Sequence, residues 1–164
     1  MSSITHVVGI DPGLVHTGVV SLMFYPAYKI IEVDHLVVDG PDDSLVSKWL
    51  MAQNSSDEQY IFIEKYVPRL KLGSDERMVK AEAAFSRTFP TARLINNTGS
   101  KGVIRTDLMH LLKVWTFPTV THHQDLRAAA RIGLYGMVKV PSLNKLLVQV
   151  VSDHMQDSPW EITT

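Results

Sequence analysis

The chain has 164 residues, 45% of them hydrophobic and 20% charged, and its formal net charge is −1 at pH 7. These proportions predict one soluble globular domain, residues 1–164, and no apolar run approaches the roughly 20 residues of a membrane helix, so we expect no membrane partner. The chain has no cysteine, which excludes disulfides and thiol catalysis. Its first residues lack a signal-peptide pattern, and both observations fit a reducing, cytoplasmic location.

The first predicted strand ends on a carboxylate. Residues 7–10 form an apolar run typical of a buried strand, and Asp11-Pro12-Gly13 follows as a turn. A carboxylate at the end of a central strand is poorly solvated unless a cation binds it. The position of Asp11 therefore predicts a cation-binding crevice at this edge of the sheet.

A second predicted strand of the same kind ends on Glu64. Residues 15–24 and 31–34 are predicted to continue the first strand as an antiparallel meander, because the connecting turns are short. A helix capped by Asp42 or Asp43 follows. Residues 60–63 are then a buried strand that runs directly into Glu64. Two predicted strands therefore end on acidic residues.

The second half of the chain is predicted to be mainly helical. The order βββ-α-β-α-β-α-α-α gives an α/β domain with a central mixed five-stranded sheet, flanked by helices on both faces. The later elements are a helix from Ser74, a short strand over 92–95, a helix from Thr98 or Ser100 to Trp115, and helices over 122–138 and 143–156.

Residues 121–125 supply further candidate ligands. Thr121 and Gln124 form a capping box, which places His122 at the first helical position. Asp125 lies three residues later, and both side chains continue the apolar stripe of their helix, so they are expected to face the sheet. Burying an unpaired carboxylate costs on the order of several kcal/mol, so Asp125 needs a cation or a proton.

Together the candidate ligands are mostly oxygen donors. Such a set suits Mg²⁺ or Mn²⁺ better than zinc, and paired ions of this kind hold the attacking water and the leaving oxygen in phosphodiester cleavage. Residues 64–113 also carry ten lysines and arginines against five acids, which suits an anionic partner, although solvated helix faces would give the same pattern. The combination favours a metal-dependent nuclease.

In chain order, these segments resemble the RuvC family of Holliday-junction resolvases, which have an RNase H-like fold. The resemblance covers about residues 7–138 in the order of the family's motifs. The matching segments are Gly9-Ile10-Asp11-Pro12-Gly13 with Thr17-Gly18, Ile63-Glu64, Thr98-Gly99-Ser100-Lys101, and His122-His123-Gln124-Asp125.

The resemblance implies a structure-selective DNA endonuclease that resolves Holliday junctions and other branched DNA. It implies paired metal-dependent hydrolysis, with two Mg²⁺ ions (or Mn²⁺) per site and with 5′-phosphate and 3′-hydroxyl products. It also implies a homodimer, in the cytoplasm of a bacterium or of a phage-infected host. The implied catalytic residues, which are also the implied metal ligands, are Asp11, Glu64, His122 and Asp125.

The resemblance also implies a DNA-binding set. Lys101 and Arg105 would contact phosphate, helped by a helix N-terminus at Ser100. In the family an aromatic side chain soon after the second acid enters the junction, and Tyr66 is the nearest match, one residue out of register. The implied DNA-binding residues are Lys65, Tyr66, Arg69, Lys71, Lys101 and Arg105.

Two other classes of protein fit part of the sequence. The Asp-x-Gly…Thr-Gly pattern also resembles the phosphate loop of the actin and sugar-kinase ATPases, but those proteins need a second domain and chains well over twice this length. A non-catalytic branched-DNA-binding module with an RNase H-like fold is the main alternative. The presence of all four candidate ligands argues against such a module, which has no need of metal-binding side chains.

Overall fold

The structure is a computed structural model that describes residues 3–53, 58–70, 73–118, 120–121 and 123–164. Its strands are β1 (Thr5–Asp11), β2 (His16–Tyr25), β3 (Ile30–Asp39), β4 (Glu58–Glu64), β5 (Arg93–Ile95) and β6 (Glu161–Thr163). Its helices are α1 (Asp43–Ala52), α2 (Glu76–Thr88), α3 (Ser100–Val103), α4 (Thr106–Leu111), α5 (His123–Lys139) and α6 (Pro141–His154).

The strands form one mixed sheet in the order β5-β4-β1-β2-β3-β6. Strand β2 pairs antiparallel with both β1 and β3, which confirms the predicted meander. Strand β4 pairs parallel with β1, and β5 pairs parallel with β4. The carboxyl ends of β1, β4 and β5 therefore meet at one edge of the sheet.

Helices cover both faces of this sheet, as predicted. Side chains alternate between the faces of a strand, and the neighbours Val7 and Val8 accordingly enter two different hydrophobic cores. The Val7 core is closed mainly by α5 and α6, and the Val8 core by α1 and α2. No helix in the described part of the chain is long and apolar enough to cross a membrane.

The prediction of five strands is wrong, because the described residues include a sixth. Strand β6 is the outermost strand beyond β3 and pairs parallel with it. It is anchored by Trp160, which is only 5% exposed, packs edge-on against Phe24 and donates its indole N–H to Asp153 at 2.8 Å. A three-residue strand is too short to show a hydrophobic alternation, so its formation depends on this anchor.

The prediction of one helix from Thr98 or Ser100 to Trp115 is also wrong. The segment forms the two short helices α3 and α4, which are separated at Ile104 and Arg105. The backbone carbonyl of Ile104 accepts a hydrogen bond from Nε of Arg131 at 3.2 Å. Because Ile104 is also fully buried in a non-helical conformation, the first helix ends there.

Helix α5 approaches β1 very closely because glycines lie at the crossing. A Cβ atom on Gly9 would lie 1.9 Å from the carbonyl oxygen of Ala129 and 2.8 Å from the backbone nitrogen of Gly133. One turn further along, a Cβ atom on Gly136 would lie 2.3 Å from the ring of Phe62. No side chain fits at these points, so packing alone requires the first glycine of the opening motif.

We expect Gly9→Ala to lower the free energy of unfolding by about 1–3 kcal/mol or more, because the added methyl group meets rigid backbone of α5. The matched control is Gly102→Ala, where a Cβ atom would have no neighbour within 4 Å. The control should be neutral or slightly stabilising. Urea denaturation measures both, and equal stability of the two variants would contradict the packing argument.

A buried polar chain begins at His6, near the opposite end of β1 from Asp11. Nδ1 of His6 lies 3.1 Å from the Gln59 amide nitrogen, and Nε2 lies 2.6 Å from Oγ of Ser21. The Ser21 hydroxyl donates to the side-chain carbonyl of Gln53 at 3.0 Å. This order of donors requires a neutral ring with its proton on Nε2. Burial lowers the pKa of His6 from 6.5 to about 4.

We expect this histidine to destabilise the fold in acid. Between pH 6.5 and about 4 the unfolded chain binds a proton at His6 that the folded chain does not, because the folded pKa is the lower one. The free energy of unfolding should therefore fall as pH drops through this window, by up to about 3 kcal/mol, and should not change on this account above it. Urea denaturation across the window measures the effect.

The effect is isolated by comparing two variants. His6→Gln should remove this part of the pH dependence, whereas His110→Gln, at an exposed position, should keep it. If wild type and His6→Gln lose stability in parallel from pH 6.5 to 4, His6 is not the responsible group.

Candidate active site

Asp11 is the last residue of β1 and pairs across the sheet with Gly18 of β2. The turn between them is held by Thr17, which is fully buried. The Thr17 hydroxyl donates to the carbonyl of Gly40 at 2.8 Å and accepts from the backbone N–H of Gly13 at 3.3 Å. The threonine and glycines of the opening motif thus hold the end of β1 in place beside the start of β2.

Glu64 reaches the same edge of the sheet from β4. Ile10 pairs with Ile63 in the parallel register, so the two acids that follow them emerge side by side. The carboxyl groups of Asp11 and Glu64 are joined by a hydrogen bond. Glu64 also accepts a hydrogen bond from the side-chain amide of Asn97, which follows β5.

Asp125 comes from the first turn of α5, above Gly18. A Cβ atom on Gly18 would lie 2.5 Å from the backbone oxygen of Asp125 and 3.2 Å from its Cβ atom. Since Gly18 pairs with Asp11, this contact brings Asp125 beside the end of β1. The structure therefore brings together three of the four predicted ligands. The fourth, His122, lies outside the described residues.

The three acids create an unfavourable concentration of negative charge. Burial of Asp11, its hydrogen bond with Glu64, and the charges of Glu64 and then Asp125 hold the pKa of Asp11 well above its usual range. A carboxyl group in this setting is stable near neutral pH when it keeps a proton or when a cation neutralises it. A buried carboxyl group whose pKa is raised by neighbouring acids is typical of functional sites, and networks of ion pairs with a purely structural role also shift pKa values.

The donor chemistry of the site fits a hard divalent cation. Asp11, Glu64 and Asp125 offer only carboxylate oxygens, the ligands that Mg²⁺ and Mn²⁺ prefer. Within the described residues no three His, Cys, Asp or Glu side chains already form a group spaced to hold an ion. A cation bound there would neutralise the charge that raises the pKa of Asp11.

Most of the predicted DNA-binding cations are exposed on the segments that follow β4 and β5. Lys65 directly follows Glu64, and its backbone N–H donates to the carbonyl of Ile95 at 2.9 Å, where β4 and β5 both end. The exposed cations are Lys65, Arg69, Lys101 and Arg105. Nε of Arg105 lies 3.7 Å from Oδ1 of Asp107 in a surface ion pair. Lys71 lies outside the described residues.

The predicted helix N-terminus at Ser100 belongs to a helix of only four residues, α3. Its dipole is therefore much weaker than that of the long helix predicted from the sequence. Any phosphate contact in this segment would rest on the exposed side chains of Lys101 and Arg105 rather than on the helix end.

Tyr66 has a structural role that the sequence did not indicate. Its backbone N–H donates to Glu82 at 2.6 Å, and its hydroxyl accepts from the backbone N–H of Asp75 at 2.8 Å. Both partners belong to α2 or its N-cap. The ring therefore fastens the segment after β4 to α2, and a contact of Tyr66 with DNA stays a prediction.

One further residue near the site was missed by the sequence. Asn97 lies beyond the end of β5 and could have been found by applying the strand-end rule to amides as well as acids. His123 accepts a hydrogen bond at Nδ1 from the backbone N–H of Phe117 at 3.1 Å. It therefore ties α5 to the segment before it.

No protein-family model matches the chain, and no curated protein matches it. Solved structures do. T. thermophilus RuvC in complex with a Holliday junction substrate is similar with a TM-score of 0.53 and 16% sequence identity, over 79% of this chain and 90% of that chain. Another Thermus thermophilus RuvC structure gives a TM-score of 0.55 and 14% identity, over 82% of this chain and 96% of that chain.

A Fowlpox virus resolvase, in complex with Holliday junction DNA, has a TM-score of 0.48 and 13% identity, over 88% of this chain and 99% of that chain. The fold assignment rests on the two Thermus structures. They show that the chain has a RuvC-like fold. At this level of identity the likeness extends to the fold alone.

We expect Asp11→Asn to stabilise the chain in chelator at neutral pH. The raised pKa of Asp11 means that ionising this carboxyl disfavours the folded state above the unfolded pKa of 3.8. A neutral amide removes that cost, so the free energy of unfolding should rise by about 1 kcal/mol, allowing for partial exposure. Asp157→Asn, at an exposed position, is the matched control and should change little.

The same pair of proteins tests the response to cations. Added Mg²⁺ or Mn²⁺ should raise the thermal midpoint of wild type, because a ligand that binds only the folded state stabilises it. Asp11→Asn should respond less. Equal shifts in wild type and Asp11→Asn would place the bound ion elsewhere.

Proposed function

We propose that the chain is a structure-selective DNA endonuclease that resolves Holliday junctions or other branched DNA. The observation that carries this proposal is the hydrogen-bonded pair Asp11 and Glu64 beside Asp125, at one sheet edge of a RuvC-like fold. The similar T. thermophilus RuvC was solved with a Holliday junction substrate, which supports branched DNA as the substrate class.

The reaction is hydrolysis of a phosphodiester bond. Two Mg²⁺ ions, or Mn²⁺ in their place, would supply an activated water and charge stabilisation at the leaving oxygen, giving 5′-phosphate and 3′-hydroxyl ends. Asp11 would be one of the side chains that hold the ions. Glu64 and Asp125 would hold the ions with it, and His122 would be a further ligand or a proton carrier.

Substrate binding would rest mainly on phosphate contacts. Lys65, Arg69, Lys101 and Arg105 present exposed cations on segments that follow β4 and β5. Contacts of this kind position branched DNA by its shape and carry no direct sequence information. Two cuts on opposite strands require two sites, which a two-fold homodimer in the cytoplasm would supply.

A nicking assay on synthetic four-way junctions tests the proposal. Wild type should cut with Mg²⁺ or Mn²⁺ and not with EDTA, and Asp11→Asn and Asp125→Asn should each cut at least about 10³-fold more slowly, since transition-state charge stabilisation of this size depends on the metal ligands. Asp157→Asn removes an exposed acid that follows α6 and should cut like wild type.

The other outcomes separate the alternatives. Cutting by Asp11→Asn and Asp125→Asn at the wild-type rate would overturn the assignment of the site. Wild type that binds junctions but never cuts them with either ion would identify a non-catalytic branched-DNA-binding module instead.

The phosphate contacts have a test of their own. Lys101→Ala and Arg105→Ala should weaken junction binding to a similar degree for all sequences, and each should reduce the slope of log K against log salt by about 1. Lys145→Ala, on α6, is the control and should keep the wild-type slope. A slope unchanged by Lys101→Ala and Arg105→Ala would exclude both side chains from the DNA interface.

A further inference from the structure

Asn97 is the one uncharged side chain with a hydrogen bond to the acid cluster among the contacts of the described residues. Its amide nitrogen donates to Oε1 of Glu64. Glu64 pairs with Ile95 in the parallel register of β4 and β5, so the residues that follow β5 are delivered to the same edge as the acids. Neither the RuvC resemblance nor the proposed catalytic set gives Asn97 a role.

The backbone around Asn97 is fixed on both sides. Before it, the carbonyl of Ile95 accepts the N–H of Lys65 at 2.9 Å. After it, the N–H of Ser100 donates to the carbonyl of Asn97 at 2.9 Å, and the turn is completed by Gly99 at a φ of +81°. The side chain of Asn97 is therefore presented to Glu64 by a closed turn rather than by a loose loop.

Such a contact matters because a glutamate side chain has three rotatable bonds and a ligand carboxylate must hold one orientation. An amide N–H cannot accept a proton or compete for a cation, so it can hold one carboxyl oxygen without disturbing the charge of the site. Hydrogen bonds of this type to metal ligands commonly change metal affinity or activity by about 10- to 100-fold.

We propose that Asn97 is a positioning residue, which orients Glu64 for binding of a divalent cation. The inference rests on the proposed function only in taking Glu64 as a metal ligand. Asn97 acts through Glu64 and does not itself touch the substrate.

The test is titration of the metal-free protein with Mn²⁺ by calorimetry, without DNA. Asn97→Ala should weaken Mn²⁺ binding by about 10- to 100-fold. Asn96→Ala is the matched control: the Asn96 side chain accepts the backbone N–H of Thr98 at 3.0 Å and so supports the same turn without contacting Glu64. The control should bind Mn²⁺ within about twofold of wild type.

A double-mutant cycle tests the route of the effect. In a Glu64→Gln background, Asn97→Ala should cause no further loss of Mn²⁺ affinity, because the two residues act as one unit. In the nicking assay, Asn97→Ala should need more Mg²⁺ for half-maximal cutting and should regain most of the wild-type rate at saturating Mg²⁺. Glu64→Gln should not recover in this way.

The outcomes divide clearly. The inference is overturned if Asn97→Ala binds Mn²⁺ within twofold of the wild-type affinity. It is also overturned if Asn96→Ala loses as much Mn²⁺ affinity as Asn97→Ala, or if wild type does not bind Mn²⁺. Wild type that binds Mn²⁺ without cutting any junction would overturn the proposed function and leave the positioning role to be judged by calorimetry.

Discussion

The candidate site depends on the direct approach of the α5 backbone to the backbones of β1 and β2. Gly9 and Gly18 leave no side chain at the crossing, where the carbonyl of Ala129 and the backbone of Asp125 lie instead. Because Gly18 pairs with Asp11, the helix and strand acids become neighbours through this contact. The same close packing that completes the core therefore sets the geometry of the site.

This geometry concentrates negative charge where solvation is poor. Asp11, Glu64 and Asp125 would repel one another if all were ionised, and the raised pKa of Asp11 means that this carboxyl keeps its proton unless a cation neutralises it. A cation that binds only the folded chain would therefore raise the free energy of unfolding. The buried apolar contacts on both faces of the sheet supply the stability that allows such a site to persist.

Patterns within short segments were enough to predict the antiparallel meander and the helices on both faces of the sheet. They also predicted that Asp11 and Glu64 meet, because each acid ends an apolar run typical of a buried strand. Contacts between distant segments decided what was missed. The carbonyl of Ile104 bonds to Arg131 on another helix and divides α3 from α4. Strand β6 likewise depends on an anchor outside itself. Asn97 carries no charge, so its strand-end position did not by itself indicate a burial problem.

The glycines at the α5 crossing have a consequence for reading related sequences. Gly9 and Gly18 are required by packing whether or not the chain cuts DNA, whereas the buried carboxyl group of Asp11 weakens the fold when it is ionised without a cation. A related chain without nuclease activity would be free to replace the acids and would still have to keep the glycines. Survival of the glycines in a divergent sequence is then a marker of shared architecture, and survival of the acids is the marker of an active enzyme.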